Sequence, residues 1–120
     1  MSTGERALSE AEVRERLGSL SGWSYRDSAI RRTYKTDGWR GSLLVANAIA
    51  FLCESADHHA DLTVTWPQVG VTLATHSAGG ITPKDFEVAG MIEALILMKL
   101  PPGSSLKGPA KPFVSSTPNL

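Results

Sequence analysis

Residues 62–76 read Leu62-Thr-Val-Thr-Trp-Pro-Gln-Val-Gly-Val-Thr-Leu-Ala-Thr-His76, and their apolar period is two. Leu62, Val64 and Trp66 alternate with Thr63 and Thr65. Val69, Val71, Leu73 and Thr75 then alternate with Gly70, Thr72, Ala74 and His76. Period two sends successive side chains to opposite faces of a strand. Pro67-Gln68 leaves a two-residue connection, so an antiparallel hairpin is predicted. In that register His76 faces away from Val69, Val71 and Leu73, and Trp66, like Trp23, reads as core or pocket wall.

Upstream the period changes to that of a helix, predicted over residues 40–57. From Leu43 to Cys53 only Asn47 interrupts the apolar run. Such a helix needs cover on most of its circumference. One small sheet covers a single side, so a homo-oligomer built partly on this helix is expected. Before it, strands at Trp23–Arg26 and Ile30–Thr36 flank the turn-forming Asp27-Ser28. Arg31, Arg32 and Lys35 of the second strand are expected to form a solvated face, with phosphate binding as the minority alternative. At the start, Ser9 and Glu12 have capping-box spacing, with Leu8 and Val13 at staple positions. A helix over residues 9–18 follows, carrying the stripe Val13, Leu17 and Leu20, with Gly18 expected to end it in a left-handed conformation.

Downstream, Ser77–Ile81 is a glycine-containing loop. Thr82 is an N-cap, with Pro83 at the first helical position and Asp85 at the third. This helix is expected to run to about Lys99, where Pro101-Pro102-Gly103 stops it. Residues 101–120, rich in Pro, Ser, Gly and Lys, are expected to be a disordered tail. The predicted order over residues 1–100 is α-β-β-α-β-β-α. That order suits an α+β domain, a four-stranded antiparallel sheet with three helices on one face.

At 120 residues the chain is long enough for one domain. Twelve basic against twelve acidic residues give no net charge, hence no global field for nucleic acid or an anionic membrane, although a local basic patch stays open. The single cysteine, Cys53, excludes an intrachain disulfide and a multi-thiolate metal site and reads as packing. No apolar run approaches a membrane span of about 20 residues, and the polar start reads as no signal peptide. A cytoplasmic domain is the expectation.

The chemistry gathers around three histidines, His58, His59 and His76. Glu54 and His58 are four apart and would share a helix face; Asp57 adjoins them, and Asp85 opens the last helix. Imidazoles titrate near neutrality and so suit general acid/base work. A surface pair at Glu54–His58 and a purely capping Asp85 remain open on spacing alone. A zinc site is disfavoured, because neighbouring His58 and His59 would point about 100° apart, unlike the i, i+4 pair of H-E-x-x-H. No glycine-rich phosphate loop and no G-x-S-x-G elbow is present.

The run Glu54-Ser-Ala-Asp57-His58-His59, then Trp66, then Thr75-His76-Ser-Ala-Gly-Gly-Ile-Thr82-Pro-Lys-Asp85 resembles the signature of pterin-4a-carbinolamine dehydratases. The resemblance extends through Gly22-Trp23 and covers residues 8–99. It implies a dehydratase that removes water from 4a-hydroxytetrahydrobiopterin to give quinonoid dihydropterin. It implies no metal or organic cofactor, and assembly as a homodimer or homotetramer. His58, His59 and His76 would line the pterin site, His58 and His76 as the acid/base pair and His59 orienting the ring. Glu54 would tune His58, Asp85 would support the His76 side, and Trp23 would form part of the wall; Asp57 and Thr75 complete the expected surroundings. Ala60, Leu62, Thr63 and Lys84 depart from the family pattern around the pocket, and residues beyond 100 have no counterpart in it. Members of this fold also act through protein binding, as a dimerisation cofactor of a homeodomain transcription factor and as a carboxysome-associated RuBisCO assembly factor. That is the alternative expectation, without direct nucleic-acid binding.

Overall fold

The computed structural model describes residues 5–116. In chain order it contains α1 (Glu10–Leu17), β1 (Ser24–Arg26), β2 (Ala29–Lys35), α2 (Trp39–Ala56), β3 (Asp61–Thr65), β4 (Gln68–Leu73) and α3 (Pro83–Ile96), with a 3-10 turn at His76–Ala78. The four strands form one antiparallel sheet in the order β1-β2-β4-β3. This is the α+β arrangement expected from the sequence.

Register explains which face is buried. Ile30 pairs with Leu73, Arg32 with Val71 and Tyr34 with Val69; across the sheet Leu62 meets Val71 and Val64 meets Val69. These alternate positions join Val13 of α1, Val45 and Ile49 of α2 and Val88 and Ile92 of α3 in one core. The intervening row, Ser24, Arg31, Thr72 and Asp61, lies on the other face, as do Thr33, Gly70 and Thr63.

Arg32 is therefore no part of a solvated strand face. Period two places it with Ile30 and Tyr34, and it is buried with its Nε donating to Glu93 Oε1 of α3 at 2.8 Å. The same oxygen accepts from Tyr34 Oη at 2.6 Å and from Trp23 Nε1 at 3.1 Å.

Turn chemistry sets the sheet's edges. Asp27 and Ser28 both have positive φ, 51° and 58°, the left-handed pair that a two-residue hairpin uses to follow strand twist. In the second hairpin Thr65 pairs with Gln68, so the loop is Trp66-Pro67 rather than Pro67-Gln68. The proline, which has no N–H for the ladder, sits in the turn. Trp66 is consequently 68% exposed and no part of the core. The strand ends at Leu73, and Thr75 N–H instead closes the following loop on Gly80 O at 2.8 Å. Strand alternation thus stops before it could set the direction of His76.

The capping boxes at Ser9–Glu12 and Thr82–Asp85 form as the spacing demands. Gly18, however, stays right-handed (φ −58°, ψ −24°); its N–H satisfies Glu15 O at 3.1 Å. Between α1 and β1 it is Gly22 that takes a positive φ (89°), and a Cβ there would lie 2.8 Å from the Arg32 guanidinium carbon. The last helix stops at Ile96, earlier than Lys99. The chain's own elements cover one side of α2: Val45, Ile49 and Leu52 are buried while Phe51 is 75% exposed. Among the described residues no helix is long and apolar enough to cross a membrane.

Residues 101–116 follow a defined path back to the sheet, where composition alone suggests disorder. Asp37 N–H donates to Phe113 O at 3.1 Å, Ser115 N–H donates to Lys35 O at 2.8 Å, and Thr36 bridges Val114. The end of β2 offers free backbone groups, and Phe113 and Val114 supply an apolar anchor that the average composition conceals. The rest of the expected tail, residues 117–120, lies outside the described residues.

Candidate functional site

The site forms where α2 ends, β3 begins and β4 gives way to the His76 loop. Asp57 adopts a left-handed conformation (φ 52°, ψ 41°) that terminates α2. His58 N–H then donates back to Cys53 O at 3.1 Å. This reversal separates the consecutive histidines. The His58 side chain is 14% exposed, with Nε2 2.7 Å from Asp85 Oδ1; the His59 side chain is 57% exposed, with Nε2 2.9 Å from Glu54 Oε1.

Glu54 therefore pairs with His59, not with His58. Residues four apart share a face only while the helix continues, and the left-handed residue intervenes. Asp85 takes His58 instead, and it is fully buried. Its Oδ2 accepts from Thr75 Oγ1 at 2.7 Å and from Thr82 N–H at 3.0 Å. The Thr75 and Thr82 hydroxyls are 2.8 Å apart. One carboxylate thus caps α3, holds the residue before His76 and engages His58.

His59 and His76 line the same cavity of about 390 Å³, together with Thr75, Asp61, Thr72 and Arg31. His58 opens onto a smaller cavity of about 270 Å³, lined also by Asp57, Lys84 and Glu87. Trp23 lines neither of these; it is buried against Glu93. Among the described residues no three His, Cys, Asp or Glu side chains come together as a metal-donor set.

Two further residues carry no signal in the spacing. Glu5 forms an ion pair with Lys84 and accepts from Ser77 Oγ at 2.7 Å. The lysine first, then the serine hydroxyl, hold its carboxyl below the usual range, and the carboxylate in turn raises the Lys84 ammonium. Leu8 N–H donates to Ile81 O at 2.7 Å, so the segment before α1 is fastened along the His76 loop. Arg31 reaches the cavity because register sets it beside Thr72, to whose hydroxyl its Nη1 donates at 3.2 Å.

Fold and site together define a small α+β domain with imidazoles and carboxylates collected at one end of its sheet, an arrangement equipped for proton transfer. The family model of pterin 4 alpha carbinolamine dehydratase matches residues 6–95, and the chain belongs to that family. A relative from Roseiflexus castenholzii is 40% identical over 89 residues, covering 74% of this chain and 96% of its own. One from Aquifex aeolicus is 43% identical over 91 residues, covering 76% and 92%. Both are named, provisionally, as pterin-4-alpha-carbinolamine dehydratases. A crystal structure from Brucella melitensis, described as a transcriptional coactivator/pterin dehydratase, aligns with TM-score 0.71 and 33% identity over 76% of this chain and 99% of its own.

Proposed function

We propose that this protein dehydrates a 4a-hydroxytetrahydropterin to the quinonoid dihydropterin, as a cytoplasmic homo-oligomer that uses α2 as an interface. The observation that carries this reading is the cavity bordered by both His59 and His76, with His58 held by buried Asp85 beside it. In the reaction the C4a–O bond breaks and the hydroxyl leaves as water with a proton from an acid. A base takes the N5 proton as the C4a–N5 double bond forms.

His76 meets the pterin from the 3-10 turn. His58 has one ring nitrogen fixed by Asp85, which leaves the other to exchange a proton, the usual way a carboxylate orients a working imidazole. His59, oriented by Glu54, contacts the ring. This assignment requires the 4a edge of the pterin to reach from the larger cavity to the His58 ring. Of the family departures, Ala60 directly follows His59 and Lys84 lines the His58 cavity, whereas Leu62 packs on the core and Thr63 borders the open sheet face; they bear on fit rather than reaction type.

The test is dehydration of 4a-hydroxytetrahydropterin generated in situ by a hydroxylase, wild type beside His76→Ala. Acceleration over the spontaneous reaction, lost in the variant, supports the reading; no wild-type acceleration sinks it. The coactivator description of the Brucella melitensis structure favours a second reading, a protein-binding role through the exposed apolar side of α2. A wild type without catalysis that still forms a defined oligomer would point there.

A further inference from the structure

Arg31 stands in a wall shared by two cavities. One is the histidine-lined cavity; the other, of about 510 Å³, lies over the sheet face that carries no helix, and Thr72 is the second residue common to both. This second groove is bordered by Arg26, Ser24, Thr33 and Thr63, with Gly70 leaving its floor without a side chain, and no Asp or Glu lines it.

The half-buried Arg31 guanidinium donates through Nε to Arg26 O at 3.3 Å and through Nη1 to Thr72 Oγ1 at 3.2 Å. Both acceptors are neutral. Among the described residues no carboxylate lies within 4.0 Å of it, whereas neighbouring Arg32 is matched by Glu93. Arg26 adds a second cation, only loosely engaged by Asp27 at 3.7 Å. A partly buried arginine without a carboxylate in contact, flanked by hydroxyls, is suited to bidentate contact with an oxyanion.

We propose that this groove is a subsite for an acidic substituent of the pterin, a phosphate or a carboxylate held by Arg31 with Arg26 behind it. The inference rests on the function proposed above and deepens it: the preferred substrate class is a pterin with an anionic side chain rather than a neutral hydroxyalkyl one. The ring would lie against His59 and His76 while its substituent crosses the Arg31–Thr72 wall into the groove.

Calorimetric titration of the full chain tests it with three stable 7,8-dihydropterins, bearing a neutral hydroxyalkyl group, its phosphate ester and a carboxyalkyl group. At least one anionic ligand should bind about 10- to 100-fold tighter than the neutral one, the range of charge-assisted hydrogen bonds. Arg31→Gln should bring that ratio close to one, Arg31→Lys should restore part of it, and Arg26→Gln should lower it where Arg31→Gln fails to fold. The ratio should also shrink in high salt. Preference for the ester alone, or for the acid alone, identifies the anion. Equal affinity for all three overturns the subsite and leaves the pterin function standing. Binding of none removes both.

Discussion

Asp85 Oδ1 lies 2.7 Å from His58 Nε2 while Oδ2 of the same carboxylate holds the Thr75 hydroxyl at 2.7 Å, so one buried group ties the end of α2 to the residue preceding His76. Asp85→Ala leaves Thr75, the Thr82 N–H and His58 without their acceptor in a buried site. Stability should fall by roughly 2–4 kcal/mol, a few orphaned hydrogen bonds' worth. Urea denaturation measures the loss; a cost near zero would mean water replaces the carboxylate.

Under the proposed dehydration the histidine roles should separate kinetically. His76→Ala should lower the rate by a factor of ~10²–10⁴, the usual contribution of a positioned acid or base, and His58→Ala should lower kcat comparably. His59→Ala should act mainly on KM. If His58→Ala keeps wild-type kcat and His59→Ala loses it, the proton-transfer role passes to the His59–Glu54 pair in the larger cavity.

Glu93 Oε1 accepts from Trp23, Arg32 and Tyr34 at once. Glu93→Ala would strand a buried guanidinium, which costs about 3–5 kcal/mol where a buried ion pair loses one partner. Chemical denaturation followed by tryptophan fluorescence reads the loss, with Trp23 a direct neighbour.

Alkaline pH probes the same cluster. Burial first, then the hydrogen bond to Glu93, pushes the Tyr34 hydroxyl above its ordinary value of 10. The folded state therefore keeps a proton that the unfolded state releases. The associated stability is fully present below pH 10 and is lost as pH rises beyond it. Tm between pH 8 and 11 should fall less steeply in Tyr34→Phe than in wild type; identical slopes would contradict this.

At the N-terminal helix the sign is opposite. Arg6 first, then the Ser9 N–H and hydroxyl, hold the Glu12 carboxyl down at about 2 against an ordinary 4.5. Its contribution is present above pH 4.5 and disappears as pH falls towards 2, and Glu12→Gln should remove that part of the acid limb. Ser9→Ala should cost about 1 kcal/mol at neutral pH through loss of the cap, measurable by thermal or urea unfolding.

Gly41 tests the docked tail. A Cβ there would lie 2.7 Å from both Phe113 O and Asp37 Oδ1, and the backbone oxygen yields only if the tail moves. Gly41→Ala should therefore release residues 101–116, with faster limited tryptic cleavage after Lys107 and little change in the core. Unchanged cleavage rates would show that the tail is not held there.

Legibility followed the range of the forces involved. The capping boxes at Ser9 and Thr82, the Asp27-Ser28 turn and the period-two strands rest on contacts within a few residues, so spacing alone specified the elements, their order and the α+β class. The three histidines and Asp85 were visible as a group because they fall close together in sequence at the ends of predicted elements, and the resemblance to a family signature then gave them expected roles. Pairings across the chain were not visible. Arg32 reads as surface until register sets it opposite Glu93, 61 residues away in sequence, and Glu54 exchanges His58 for His59 because one left-handed residue, Asp57, turns the chain between them. Arg31 gains its position from its strand partner Thr72, and the tail gains order from the end of β2. In each case the chain specified which groups were available, while long-range burial and hydrogen-bond satisfaction, which only the folded packing can balance, decided which of them met.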